Sequence, residues 1–294
     1  MYGLTEEDRV LLGLLLMVLA TIGTVMCIVE IYEVLQVKNM LLFKIFGLSQ
    51  AAIHATAQFV VVILFISSQM IFTTWVHPPL VGYVALALQF ASLYTSIAMS
   101  INRLISVSFP TTYSKIFTPR STKIIATLPW LLAFSSGSIL LIDECSLSFD
   151  RTSGGFVFRD SECGRVFSGY FDVLFNICLV LIIVPLDIFS LLILNRISKK
   201  RVVYTRRLQK EKPWFVQTLM NSLLFATMLA FFHATPLFGT EVLRFIFTVV
   251  SWEFWLLSPQ VIGIIVQKEC RGPYLRAFDK IRSRTMDGPT TTLT

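Results

Sequence analysis

The chain has 294 residues and a formal net charge of +7 at pH 7, with 55% hydrophobic and only 15% charged residues. Soluble domains carry about 25% charged residues, so this composition excludes an ordinary soluble globular protein and indicates a helical membrane protein. Because the charges cluster between long apolar runs, the net positive charge requires no nucleic acid partner, and we expect none.

Seven apolar runs are long enough, at about 20 residues each, to cross about 30 Å of hydrocarbon as an α-helix. We number them spans one to seven in chain order: Val10–Ile31, Ile45–Ile66, Leu80–Ile101, Ile124–Ile142, Tyr170–Leu194, Phe215–Phe238 and Phe245–Val266. They predict an all-α membrane protein, built as a seven-transmembrane helix bundle. No internal repeat relates the two halves of the sequence, which argues against the common transporter architectures.

The basic residues between the spans predict the orientation of the bundle. All but five of the 25 Lys and Arg residues fall on one side of the predicted membrane, and the five exceptions are Arg9, Arg151, Arg159, Arg165 and Arg244. Since basic loops stay in the cytoplasm, we expect the N-terminus outside and the C-terminus inside. An odd number of spans agrees with termini on opposite sides.

Polar residues on span two share one face. Gln50, His54 and Gln58 recur every four residues, which keeps them on one side of a helix, and we expect His54 to hydrogen-bond a neighbouring helix and not to bind a metal. The three histidines, His54, His77 and His233, lie on separate segments without the spacing of metal ligands. We therefore expect no metal site and no cofactor.

Span three carries a polar stripe that ends at an arginine. Gln89, Ser92, Ser96 and Arg103 follow one another at offsets of 3, 4 and 7 residues, which keeps them on one helical face. Gln89 lies about 21 Å from Arg103 along the helix axis. The stripe predicts that Arg103 points into the bundle. For the two serines, hydrogen bonds to neighbouring helices are the simpler interpretation, and for Gln89 both interpretations stay open.

The segment between spans four and five predicts a β-hairpin. Four apolar residues alternate with mostly polar neighbours around the turn-forming sequence RTSGG, namely Leu147, Phe149, Phe156 and Phe158. This period of two is typical of strands. Cys145 and Cys163 occupy matched positions on the two arms, on the side predicted to face the oxidising compartment. A disulfide between them would staple the hairpin, and two free thiols are the alternative.

Ionisable residues and prolines interrupt the last three spans. They are Asp187 in span five, His233 and Pro236 in span six, and Glu253 and Pro259 in span seven. Ionisable groups in hydrocarbon usually face the bundle interior, and proline can kink a helix. We interpret Asp187, Pro236 and Pro259 as switch or kink positions, and we expect Asp187 to be the partner of Arg103. For the acids, a structural pair is the alternative.

The end of span three resembles a known family. The sequence SINRLISVSFPTTYSKIF contains the motif residues Asn102, Arg103, Phe109, Pro110, Tyr113, Ile116 and Phe117. It is similar to the nematode serpentine chemoreceptors of class X, which are G-protein-coupled receptors. The sequence FGLSQAAIHA at 46–55 resembles the second span of that family, and residues 145–164 resemble its second outer loop.

Two departures from rhodopsin-like receptors accompany this resemblance. Span three has no cysteine at its outer end, so the usual tether from that helix to the second outer loop cannot form, which favours the bond within the loop. Span seven has Ser258-Pro259 where such receptors have Asn-Pro, so their tyrosine switch cannot be assumed.

The resemblance implies a chemosensory receptor without enzymatic activity, in the plasma membrane of a sensory-neuron cilium. Residues 1–268 would form the receptor domain and 269–294 a cytoplasmic tail, with a small-molecule ligand, a heterotrimeric G protein and the lipid bilayer as partners. The ligand would enter an outer-half cavity bounded by Gln89, Leu93, Phe232, His233, Trp252 and Glu253. The G protein would bind at Asn102, Arg103, Pro110 and Tyr113 as span six moves about Pro236.

Three alternatives stay open on the sequence. A transporter or channel could use Asp187, His233 and Glu253 as an ion or proton path. A membrane-embedded enzyme lacks clustered His, Asp or Cys ligands. The altered motif at Ser258-Pro259 also permits a receptor that folds without signalling.

Overall fold

The computed structural model describes residues 4–36, 42–72, 78–200, 202–234 and 240–266. Within these ranges, seven helices are long and apolar enough to cross a membrane, which confirms the predicted all-α bundle. Pro236 and the predicted tail 269–294 lie outside the described residues.

Spans one, three and six are single helices, and the other four are built from consecutive helical segments. The bounds are Glu6–Gln36 for span one; Leu42–Thr56, Ala57–Ser67 and Ser68–Ile71 for span two; Pro78–Ser108 for span three; Pro119–Gly137 and Ser138–Leu141 for span four; Glu162–Val166, Phe167–Phe175 and Asn176–Lys200 for span five; Val202–His233 for span six; and Glu241–Phe245, Ile246–Val250 and Ser251–Val266 for span seven. The middle segments of spans two, five and seven are π-helical, and span four ends in a 3-10 turn. A short helix, Pro110–Ile116, precedes span four, and a 3-10 turn, Asp143–Cys145, follows it.

Span three extends beyond its predicted range at both ends, so Arg103 lies within the helix and not at its end. The helix ends at Ser108 because Phe109 leaves the helical conformation, with φ −135° and ψ 65°. The residue before a proline is disfavoured in the helical region, and Pro110 then begins the next helix, where its missing N–H costs nothing.

Span three is also the centre of the bundle. It packs against spans two, four, five and six, and 67% of its apolar window is buried, against 28% for spans four and five. Polar groups on span three are therefore enclosed by protein, whereas much of spans four and five faces the surroundings of the bundle.

The predicted hairpin forms and covers one end of the bundle. Strand β1 (Leu147–Asp150) pairs antiparallel with β2 (Gly155–Phe158), with Leu147 opposite Phe158 and Phe149 opposite Phe156, so the four apolar side chains share one face. A Cys145–Cys163 disulfide joins the two arms, which confirms the predicted pairing. We name this end of the bundle the hairpin end, and the opposite end the Arg103 end.

The hairpin turn is tied to the beginnings of spans one and seven. Gly154 adopts a left-handed conformation with φ 66°, which glycine accepts without strain, and Leu4 and Phe245 pack beside it. The Leu4 backbone N–H donates to the Thr152 carbonyl at 3.0 Å. Partial burial disfavours the ionised form of Asp150, but hydrogen bonds from Thr152 and Ser153 outweigh this effect and lower the pKa of Asp150.

Gly82 brings span three into backbone contact with the hairpin, because a Cβ atom added at position 82 would overlap the Leu147 carbonyl oxygen. We expect Gly82→Ala to destabilise the protein by about 1–3 kcal/mol, the usual cost of overpacking, since β1 would have to move off the helix. The matched control is Gly47→Ala in span two, where an added Cβ meets no atom within 4 Å. Thermal unfolding of the purified variants measures the difference, and equal melting temperatures would contradict the close contact.

Candidate functional site

A cavity lies beneath the hairpin, between spans three, five, six and seven. Its volume is about 60 Å³ for the centres of water molecules, which is space for a few waters or one small organic molecule. The hairpin contributes Leu147, Phe156 and Phe158 to its lining, and the spans contribute Ala85, Leu86, Gln89, Asp172, Met228, Leu229, Phe232, Thr248, Val249 and Trp252. The walls are thus mostly apolar and aromatic, with a small number of polar groups, as is usual for ligand sites.

Asp172 is the acidic residue among the described residues that line this cavity. It lies in the π-helical segment of span five and is 8% exposed. Asn176, one turn further along, donates from Nδ2 to Asp172 Oδ1 at 3.3 Å and to the Asp172 carbonyl at 2.6 Å. The ion pairs among the described residues lie elsewhere, at Arg159–Asp143 and Arg244–Glu241, so the Asp172 carboxylate has no cation within 4.0 Å.

The cavity brings together three of the six predicted ligand residues, Gln89, Phe232 and Trp252. Leu93 lies one turn below Gln89 and lines a separate, smaller space between spans three, five, six and seven. His233 follows Phe232 at the end of span six, where its ring packs edge-on against the Phe232 ring at 5.5 Å. Neither Leu93 nor His233 lines the cavity beneath the hairpin.

Glu253 points away from the cavity, because one residue turns a helix by about 100° from Trp252. Its side chain is 0% exposed, and neither carboxylate oxygen has a hydrogen-bond partner among the described residues. It interacts electrostatically with Cys27 on span one, whose thiol donates to Gln58 Oε1 on span two at 3.7 Å. Glu253 therefore belongs to the packing between spans one, two and seven.

The polar face of span two binds span three. Gln50 Nε2 donates to Ser92 Oγ, and His54 Nε2 lies 3.0 Å from the same hydroxyl. Ser96 donates to the Ser92 carbonyl at 2.9 Å within its own helix. These bonds confirm the interhelical role expected of His54 and the simpler interpretation of Ser92, whereas Ser96 bonds within its own helix and not to a neighbouring one.

Arg103 is buried at the opposite end of the bundle. It is 8% exposed, its guanidinium lies over the Phe215 ring at 5.4 Å from the centroid, and its Nη1 has no hydrogen-bond partner among the described residues. Asp187 attracts Arg103 electrostatically, but its oxygens accept from Ser100 at 2.6 Å and Ser222 at 2.8 Å. The direct ion pair that we expected between Arg103 and Asp187 is not formed within 4.0 Å among the described residues.

The other motif residues at the Arg103 end differ in exposure. Asn102 is 2% exposed and its Nδ2 has no hydrogen-bond partner among the described residues. Tyr113 is half-buried and stacks on Phe117 at 4.9 Å, whereas Pro110 is exposed. Asn102 and Tyr113 thus take part in the packing of the bundle, whereas Pro110 lies at the surface.

Spans six and seven are linked by hydrogen bonds at Pro259. Proline cannot donate to the carbonyl of Trp255 four residues earlier, and the Ser258 hydroxyl, 2.8 Å from that carbonyl, takes over the role. The same hydroxyl is 2.9 Å from Asn221 Oδ1 on span six, and Gln217 Nε2 donates to the Pro259 carbonyl at 2.7 Å. A shift of either span at this level must break or exchange these bonds.

The three residues of the transporter alternative do not share one path. Asp187 is bonded to serines toward the Arg103 end, His233 lies at the hairpin end, and Glu253 lies between spans one, two and seven. Among the described residues, no group of three or more His, Cys, Asp or Glu side chains is placed to hold a metal ion.

The family described as serpentine type seven-transmembrane G-protein-coupled chemoreceptor Srx matches residues 17–259 of the chain. The chain belongs to the Srx family. It is thus a multi-pass membrane protein of a G-protein-coupled receptor family, and proteins of this family and fold are typically not enzymes.

A relative and a solved structure agree with this assignment of the Srx chain. It is 26% identical over 201 residues to serpentine receptor class X 45 of Caenorhabditis elegans, a match that covers 61% of this chain and 56% of that relative. The Srx chain therefore matches little more than half the length of that curated relative. Its fold is similar to that of squid rhodopsin, with a TM-score of 0.71 at 15% identity over 96% of this chain and 88% of the other.

The sequence did not single out Asp172 or the hairpin phenylalanines as cavity residues in this Srx chain. Asp172 is the third residue of the predicted span five, where an acid is typical of the membrane interface. Its burial arises because span five begins earlier, at Glu162, after an N-cap at Ser161. The alternation that includes Phe156 and Phe158 predicted the hairpin. It did not predict that the hairpin covers the cavity, because that placement depends on contacts between residues far apart in the sequence.

Proposed function

We propose that this chain is a chemosensory receptor that binds a small molecule in the cavity beneath the hairpin and activates a heterotrimeric G protein at the Arg103 end. The observation that carries the proposal is the arrangement of span three. Its face lines the cavity at Gln89 and ends at the buried, incompletely hydrogen-bonded Arg103. One helix thus joins the cavity beneath the hairpin to a charged group at the opposite end.

Charge and the disulfide support the orientation that we propose. The excess of Lys and Arg in the segments at the Arg103 end favours the cytoplasm for that end. The Cys145–Cys163 bond lies at the hairpin end, and disulfides persist on the oxidising side. We propose an N-terminus outside, a C-terminus inside and a location in the plasma membrane, at the cilium of a sensory neuron. Residues 1–268 would be the receptor domain and 269–294 a cytoplasmic tail.

The mechanism is a population shift between two packings of the helices. A ligand beneath the hairpin touches Phe232 on span six and Trp252 on span seven, so it favours the packing in which both contacts are made. A shift of span six against span seven exchanges the bonds of Gln217 and Asn221 with Pro259 and Ser258. The predicted hinge at Pro236 lies just beyond the described part of span six.

At the Arg103 end, the same shift of span six uncovers Arg103. Phe215, the ring over the guanidinium, belongs to span six, so movement of this span removes the ring. Arg103 would then be free to bind the G protein, with Asn102, Pro110 and Tyr113 completing the contact surface. Asp187, held by Ser100 on span three and Ser222 on span six, would lose one of its two serines in the active packing.

Two adjacent phenylalanines allow a matched test of the cavity. Phe232 lines the cavity, whereas Phe231 is 39% exposed and packs on Phe247. Cells that express the receptor are screened with small molecules, and calcium or cyclic nucleotide is recorded. For any active compound we expect Phe232→Ala to lower potency by about 10-fold, which corresponds to the loss of about 1.4 kcal/mol of aromatic contact, and Phe231→Ala to leave it unchanged.

The same screen can contradict the proposal. Equal potency in the two variants at equal surface expression would exclude the cavity beneath the hairpin as the ligand site. Ion flux through the purified protein in proteoliposomes, without any G protein, would favour the transporter or channel alternative.

A further inference from the structure

We infer that the ligand is a small organic cation, a protonated amine on an apolar body, and that Asp172 binds its positive charge. The inference rests on the proposed function, because it names the chemical class that the cavity beneath the hairpin accepts. It comes from Asp172, which no sequence motif singled out.

Among the described residues, no positively charged side chain pairs with the buried Asp172 carboxylate. It is 8% exposed, accepts one long hydrogen bond from Asn176 at 3.3 Å, and has no Lys or Arg of the described ranges within 4.0 Å. Placing a carboxylate away from water is costly unless a cation or several hydrogen bonds compensate. Because Asp172 lines the cavity, a cation bound there supplies what the protein does not.

The walls of the cavity fit the rest of such a molecule. Phe156, Phe158, Phe232 and Trp252 surround the space, and aromatic faces attract organic cations while they bury hydrocarbon. Gln89 adds an amide, whose oxygen can accept a hydrogen bond from an ammonium group with three donors. The volume of about 60 Å³ restricts the apolar body to a short chain or a small ring.

The alternatives to a cation are disfavoured by the same geometry. A neutral ligand would expel water from around Asp172 and leave the carboxylate without compensation. An anionic ligand would add repulsion, since none of the described lining residues is basic. A cation thus gains from Asp172, the one charged side chain among the described residues that line the cavity.

The experiment measures binding to the purified full-length receptor by thermal unfolding, without a G protein. The probes are the straight-chain primary amines from propylamine to hexylamine, the alcohols with the same chains, and the corresponding trimethylammonium ions. A ligand that binds the folded state raises the melting temperature. We expect the amines to stabilise the wild type, the alcohols to have no effect, and the preferred chain length to report the size of the cavity.

Three variants separate charge recognition from general damage. Asp172→Asn should weaken amine binding by about 30-fold or more, the usual cost of removing one partner of a buried charge pair. Asp172→Glu keeps the charge and should retain binding. Asp143→Asn is the matched control, because Asp143 lies at the same end of the bundle but is exposed and paired with Arg159; it should bind amines like the wild type.

Several results would overturn the inference. They are equal stabilisation by amines and alcohols, unchanged amine affinity in Asp172→Asn, or no stabilisation by any amine or trimethylammonium ion of the series. If Asp172→Asn does not fold, the inference is tested by comparing amines with alcohols on the wild type and on Asp172→Glu. Amine binding without signalling in cells would count against the proposed function alone, whereas signalling by neutral compounds only would count against the amine and leave the receptor function standing.

Discussion

Arg103→Ala is expected to reduce G-protein signalling to background while the receptor still reaches the cell surface. Arg103 is buried under Phe215, and its Nη1 has no hydrogen-bond partner among the described residues. Such a guanidinium contributes little to the folding free energy of the resting bundle, because burying a cation without an ion pair costs free energy. Its removal should therefore cost little folding free energy and should abolish the contact with the G protein.

Two further arginine variants make this expectation specific. Arg196→Ala removes an exposed arginine near the end of span five, which controls for a general loss of positive charge at the Arg103 end, and it should signal normally. Arg103→Lys keeps the charge but loses the planar group that lies over Phe215, and we expect a partial loss. Surface expression is measured by an epitope tag, and signalling by the same calcium or cyclic nucleotide response. Normal signalling from Arg103→Ala would refute the proposed coupling mechanism.

Glu253→Gln is expected to stabilise the receptor, by about 2–3 kcal/mol, which is the scale of the cost of a charged side chain in the middle of a span. Glu253 is completely buried and neither of its carboxylate oxygens has a hydrogen-bond partner among the described residues. Glutamine has the same shape without the charge, and an unpaired neutral amide costs less to bury than an unpaired carboxylate. The melting temperature of the purified protein should therefore rise.

A second glutamate on span seven provides the control. Glu241 forms an ion pair with Arg244 at 2.8 Å, so Glu241→Gln removes a partner and should lower the melting temperature slightly. The two substitutions thus make the same chemical change on the same span, with opposite expected effects on the melting temperature. A fall in stability for Glu253→Gln would mean that the carboxylate has a partner in the folded receptor.

The sequence predicted the features of the fold that depend on local pattern. Seven apolar runs gave seven spans, and the alternation of Leu147, Phe149, Phe156 and Phe158 gave the hairpin together with its disulfide. Both patterns repeat over neighbouring residues, so they can be recognised in the sequence without knowledge of the tertiary contacts. The end of span three was less predictable, because hydropathy falls at Arg103 while the helix continues to the residue before Phe109.

The site was predictable only in part, because it depends on which helices meet. Gln89 lies on the face that helical periodicity indicated, whereas Phe232 and Trp252 were expected from the resemblance to a receptor family, and all three line the cavity. Glu253 is a neighbour of Trp252 in sequence, but one residue of helical rotation sends it toward Cys27. The role of Asp172 could not be predicted, because its place beneath the hairpin depends on the beginning of span five at Glu162, which the hydropathy pattern did not indicate.

Because of the contact between Gly82 and Leu147, the walls of the cavity differ in how they are attached to the hairpin. The hairpin rests on the backbone of span three without an intervening side chain, and its arms are joined by the disulfide. The opposite wall is formed by Phe232 and Trp252. Within the described residues, span seven meets the hairpin through the Phe245 side chain beside Gly154 and not through a covalent or backbone bond. A ligand that draws the cavity walls together would therefore move spans six and seven toward the hairpin and span three. Span six would carry this movement to Phe215, which lies over Arg103.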